Sequence, residues 1–149
     1  MISVRQAKTT DTDLVAHFVH ALLEELSDGT PPESAVILRN TEKVLKEPSV
    51  IAMIAYAHEK PVGVMVLNEC AAIYAGGRFA EISELYVLPE MRSQGVAPQL
   101  LKAAVAEAAN RDWKRIEVGA PPQPAWKRTM NFYLRNGFTE VGPRLRKVI

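Results

Sequence analysis

Apolar and polar positions alternate along Ile2-Ser3-Val4-Arg5, the period of a half-buried strand. Thr10 followed by Asp13 reads as a capping box that opens a helix. Behind it Leu14, Val15, Phe18, Val19, Leu22, Leu23 and Leu26 recur at helical spacing and form one apolar face. Ser27-Asp28-Gly29-Thr30-Pro31-Pro32 ends that helix, and a shorter one is predicted from Glu33 to Lys46, stopped by Pro48. Val50 to Ala57 and Val62 to Leu67 are almost wholly apolar, as strands covered on both faces are, with His58-Glu59-Lys60-Pro61 as the turn between them. Gly76-Gly77 supplies a second reversal before a strand from Phe79 to Leu88. Ala, Leu, Glu and Lys dominate Pro98 to Asn110, a helix with its proline in the first turn. A strand at Arg115 to Val118, a helix from Ala125 to Asn136 closed by Gly137, and a terminal strand from Glu140 to Ile149 complete the order β-α-α-β-β-β-α-β-α-β. This is a mixed α/β chain.

Composition narrows the functional classes. The 149 residues suit one domain, 1–149, and neither a repeat nor a long polar linker divides them. Apolar residues make up 48% and charged ones 23%, so the chain has enough apolar side chains to build a core. Eighteen Lys and Arg against seventeen Asp and Glu leave a formal charge of +1, which gives no reason to expect a nucleic-acid partner. No apolar run approaches the roughly 20 residues of a membrane span, and the start lacks a signal-peptide core, so no membrane role and a cytoplasmic location are expected. One cysteine, Cys70, excludes an internal disulfide and a multi-cysteine zinc site. The three histidines, His17, His20 and His58, share no ligand spacing, so no metal is expected.

The stretch Val87-Leu88-Pro89-Glu90-Met91-Arg92-Ser93-Gln94-Gly95-Val96-Ala97-Pro98-Gln99-Leu100-Leu101 ends a strand, turns through small residues and starts a helix. A turn of this kind aims several unpaired N–H groups at one spot, and the helix dipole adds about half a positive charge there. Gly95 and Ala97 let a diphosphate approach the backbone, and Arg92 adds a cationic fork. Neither a Walker P-loop nor G-x-G-x-x-G is present, and R-x-x-G-x-A taken alone equally describes an ordinary loop.

Position adds meaning to this turn. With the strand before it and Leu100-Leu101 after it, the turn resembles motif A of the GNAT superfamily of acetyl-CoA-dependent N-acetyltransferases. Arg5-x-Ala7 before Asp11 resembles that family's opening, and Phe132-Tyr133-Leu134-Arg135-Asn136-Gly137-Phe138 its late F-Y-x-x-x-G-F motif. The resemblance implies a mixed sheet of about six to seven strands flanked by about four helices. It also implies acetyl-CoA as cosubstrate, held by Arg92, Ser93, Gln94, Gly95, Val96, Ala97 and Pro98. Leu85-Tyr86-Val87 lies where the family pairs its strand with the pantetheine arm, the backbone groups of Leu85 and Val87 polarising the thioester.

The implied reaction moves an acetyl group directly to an amine. An alkyl ammonium of pKa about 10.4 yields its free base at pH 7 at a cost of about 4.6 kcal/mol, so a base helps. Glu81, eleven residues before Arg92 and resembling in position the glutamate base of some family members, is the first candidate, and Glu84 the second. On a flat strand they face opposite ways, and either is otherwise a solvated strand carboxylate. Tyr133 matches the family's general-acid tyrosine, or else is a packing residue. Two departures stand out: Pro98 has no N–H, and Trp126 falls where the family often has an asparagine that contacts the cofactor. Trp113 is expected to cover core, and Cys70 to be a small buried side chain. Arg144, Arg146 and Lys147 are expected on a solvated face of the last strand. Asp28 and Glu33, in the segment Ser27 to Ser34, mildly favour a cationic acceptor.

The main reading is an enzyme that acetylates a primary amine of a small molecule or peptide, with a homodimer as an option through the terminal strand. A non-catalytic acyl-CoA-binding module on the same scaffold is the alternative. An interaction domain without cofactor is a third reading.

Overall fold

A computed structural model describes all residues 1–149. Its strands are β1 (Ile2–Gln6), β2 (Val50–Ala57), β3 (Lys60–Ala72), β4 (Gly77–Val87) and β5 (Ile116–Val118). Its helices are α1 (Thr12–Leu26), α2 (Ser34–Leu45), α3 (Val96–Arg111) and α4 (Lys127–Arg135), with single 3₁₀ turns at Thr9–Asp11 and Pro89–Met91. The five strands form one sheet in sequential order; β1 to β4 run antiparallel, and β5 joins β4 in parallel after the α3 crossover.

Residues that alternate along β2 and β3 enter two separate apolar clusters, one on each face of the sheet. Ile51, Met53, Met65 and Leu67 meet Leu100, Ala104 and Tyr133 on one face. Ala52, Ile54, Val64 and Val66 meet Val15 and Phe18 of α1 on the other. Trp113 is buried against the first face, as expected, and its indole N–H donates to Glu69 at 2.9 Å.

Three local expectations need correction. No strand forms over Glu140 to Ile149, so the sheet has five strands rather than six or seven. Pro143 has no ladder donor, Gly142 takes φ +139°, and Val141, Leu145, Val148 and Ile149 stay exposed. The opening helix is not capped by the Thr10 hydroxyl, although Asp13 does fall in its first turn. Asp11 accepts the Lys8 N–H at 2.7 Å and the Arg5 guanidinium at 2.8 and 3.0 Å, fixing the turn that leads into α1. The third correction concerns β4. Val66 pairs with Glu84 and Leu67 with Ile82, so Ser83 is one residue more than β3 can match. This bulge turns the alternation over: Glu81 and Glu84 lie on the same face, the one covered further along by α1 and α2.

Candidate active site

Beyond the bulge β4 loses one neighbour. Its pairing with β5 covers only Ala80–Ile82 against Ile116–Val118, and from Ser83 to Val87 its second edge is open. The Leu88 N–H donates to Val62 O on β3 at 2.9 Å, so alternation directs the amides of Leu85 and Val87 to that open edge.

The chain then passes through the 3₁₀ turn into Arg92-Ser93-Gln94-Gly95. Ser93 at φ +63° and Gly95 at φ +87° both adopt the left-handed conformation, which curls successive amides toward one side. Gly95 is the natural occupant, because a side chain at that φ is strained. The N–H groups of Ser93, Gln94, Gly95, Val96 and Ala97 donate to no protein acceptor, and intrahelical bonding resumes with Gln99 N–H to Gly95 O at 3.2 Å. Pro98 removes a donor at a position where the helix start has other donors to spare. Five consecutive free donors at the positive end of a 16-residue helix suit an anion such as a diphosphate.

Arg92 is not the loose cationic fork that the sequence suggests. Its Nε donates to Val87 O at 2.9 Å, its Nη2 donates to Glu25 of α1 at 2.7 Å, and its guanidinium lies 5.4 Å from the centre of the Tyr86 ring. It therefore ties the turn to the end of β4 and to α1. Sequence reasoning missed two residues here. Arg128 of α4 donates to Ser93 Oγ at 3.1 Å, placing a second cation beside the turn. Glu25 anchors Arg92. Neither carries a motif, because each is brought in by a helix far away in the chain.

On the face covered by α1 and α2, those helices and the sheet line a cavity of about 170 Å³, open to solvent on one side, whose walls include Val15, Val19, Leu23, Ile37 and Val66. Glu84 is the one ionisable residue in its lining. Burial pushes its carboxyl above the usual range, against which the Ser83 hydroxyl, donating to Oε1, acts only partly. Glu81 lies elsewhere on the same face, where Arg144 Nη1 donates to it at 3.1 Å and Asn68 is its cross-strand partner. The two carboxylates are thus alike in chain position and unlike in surroundings.

Tyr133 packs edge-on against Phe132 and Phe138, with ring centres 5.3 and 5.2 Å away, and is 5% exposed. Burial pushes its phenol up to about 12, so it stays protonated at neutral pH. No protein group bonds its hydroxyl, yet that oxygen is not sealed from solvent. Trp126 precedes α4, and the last turn of that helix closes on Gly137 at φ +91°. Cys70 is half-buried and its thiol is raised by burial, then by Glu81, Glu117 and Glu69.

The fold and the free amides define a class of protein, and comparison agrees. The profile of the acetyltransferase (GNAT) family matches residues 15–138, and the chain belongs to that family. It is therefore an acyltransferase, an N-acetyltransferase by family. The aminoalkylphosphonate N-acetyltransferase of Salmonella typhimurium (strain LT2) is 28% identical over 148 residues, covering 98% of this chain and 90% of that one. A possible acetyltransferase from Clostridium difficile 630 superposes with a TM-score of 0.81 at 17% identity, over 100% of this chain and 99% of that one. Aminoglycoside N-acetyltransferase AAC(6')-Iy, solved in complex with CoA, superposes with a TM-score of 0.78 at 18% identity, over 100% and 95%.

Proposed function

We propose that this chain transfers the acetyl group of acetyl-CoA directly to a primary amine of a small molecule. The observation that carries the reading is the run of five unpaired amides from Ser93 to Ala97, set beside the open edge of β4. Those amides would take the diphosphate, with Arg128 adding positive charge. The backbone of Leu85 and Val87 would pair with the pantetheine arm and polarise the thioester carbonyl.

Glu84 is the base in this reading. A carboxyl lifted by burial gains proton affinity, which brings it closer to neutral pH and strengthens it as an acceptor. Glu81 is a weaker candidate because Arg144 already engages it. The amine nitrogen forms a bond to the thioester carbon and gives its proton to Glu84; the C–S bond then breaks, and sulfur leaves with the electron pair. Tyr133 donates a hydrogen bond to that sulfur. Complete proton transfer from a phenol near 12 to a thiolate whose thiol has a pKa of about 8.5 runs uphill by about 5 kcal/mol. Charge stabilisation is therefore its first contribution.

The experiment is calorimetric titration with acetyl-CoA, followed by thiol release over an amine panel for the parent chain, Glu84→Gln, Glu81→Gln and Tyr133→Phe. Binding together with a loss of about tenfold or more in kcat for Glu84→Gln and Tyr133→Phe, and little for Glu81→Gln, is expected. Binding without turnover on any amine would instead favour a non-catalytic acyl-CoA module.

A further inference from the structure

The cavity under α1 and α2 has a chemistry that narrows the acceptor. Its inner wall is aliphatic, with Val15, Ile37 and Val66 almost fully buried. Besides Glu84, its polar lining is Asn40, which is exposed at the rim, and Thr41, whose hydroxyl donates back to Ile37 O at 2.7 Å. No Lys or Arg lines it. A phosphonate or carboxylate on the acceptor would enter a space without a counter-charge and beside a carboxyl group, a costly burial. A polyhydroxylated sugar would leave most of its hydroxyls facing aliphatic carbon, at a cost for each.

Size points the same way. An apolar cavity of about 150 Å³ holds a benzene-sized body, and this one measures about 170 Å³. Pockets that bury drug-sized ligands run to roughly 300 Å³ or more.

We infer that the acceptor is a compact alkyl- or arylalkylamine of about five to seven carbons carrying no second charge, its body in this cavity and its nitrogen at Glu84. This rests on the proposed acetyl transfer with Glu84 facing the amine. It differs from the substrates named for the relatives, which bear a phosphonate or an aminoglycoside ring system.

The test uses the whole chain with acetyl-CoA and the primary n-alkylamines from ethylamine to decylamine, with phenethylamine, 2-aminoethylphosphonate and kanamycin alongside. Expected is a rise in kcat/KM of about fourfold per methylene up to about six carbons, then a fall once the chain outgrows the cavity. The two polar acceptors should stay at least tenfold below hexylamine. Val44→Arg places a guanidinium at the rim, at a residue already 42% exposed, so folding is not at stake. It should raise KM for hexylamine about tenfold or more and improve 2-aminoethylphosphonate, with acetyl-CoA affinity unchanged.

Alkylamine turnover independent of chain length would overturn the inference. Preference for kanamycin or the phosphonate would do the same and leave acetyl transfer standing. Absence of both acetyl-CoA binding and thiol release would overturn the underlying proposal as well.

Discussion

A carboxyl group set into aliphatic surroundings, as Glu84 is among Val15, Val19 and Val66, works against folding whenever it ionises. Burial raises its native pKa above the 4.5 of an ordinary glutamate. The unfolded chain therefore ionises first as pH rises, and the protonated group's contribution to stability is present below about pH 4.5 and lost as pH climbs through the native value. Glu84→Gln should accordingly raise the melting temperature at pH 8 and leave it nearly unchanged at pH 4, as thermal unfolding at the two pH values would show. An equal gain at both would contradict the assigned burial. Asp11 has the opposite sign. The Arg5 hydrogen bonds, then the Lys8 N–H, lower it from 3.8 to about 2, so its contribution is complete above pH 3.8 and lost as pH falls through about 2. Asp11→Asn should cost about 1 kcal/mol at pH 7, since Arg5 is 42% exposed and screened. The difference between the two proteins should close near pH 2 in urea titrations. Asp11 also shows how a sequence misleads at this scale: five Thr and Asp residues in a row, Thr9 to Asp13, can each cap, and Arg5 selects among them.

Elements are unevenly legible in the chain, for a physical reason in each case. β2 falls at Val50–Ala57 as its apolar run predicts, because a strand covered on both faces needs an unbroken run. The His58-Glu59 reversal and Gly76-Gly77 also fall where expected, each through paired positive φ angles. The Ser83 bulge has no local mark, since it arises from what β3 can and cannot match. Gly63 was equally silent in the sequence. A Cβ there would stand 2.9 Å from Tyr86 O and 3.2 Å from Val96 Cγ1, so glycine is what lets β3 approach both β4 and the start of α3. Gly63→Ala should cost about 1–3 kcal/mol in urea denaturation, the usual penalty of overpacking. It should also weaken acetyl-CoA binding, because the shift falls on the strand and helix that carry the free amides. A variant as stable as the parent would show that the strands have room to spare.

For the molecule as a whole, one sheet separates two apolar layers, and the two side chains of the proposed chemistry belong to different layers: Tyr133 lies with the α3 face, Glu84 with the α1 and α2 face. In the proposed reaction the open edge of β4 is where the two would meet. The terminal residues add little, touching the sheet through Arg144, which is 67% exposed where it meets Glu81. Arg144→Ala should therefore change stability by less than about 1 kcal/mol, and the effect should shrink further in high salt. A larger, salt-independent loss in thermal unfolding would show that the terminal segment buries more than this contact. What the amino-acid sequence determined by itself was the order of elements from β1 to α4 and the donor-rich turn between Leu88 and Leu101. Those follow from properties that neighbouring residues carry with them: apolar period, the φ freedom of Gly95, a proline in a helix's first turn. Which glutamate faces an apolar cavity, and what holds Arg92, was decided only by the tertiary structure. A bulge is a mismatch between two strands, a cavity is the space left between helices and sheet, and Glu25 meets Arg92 only after α1 has packed.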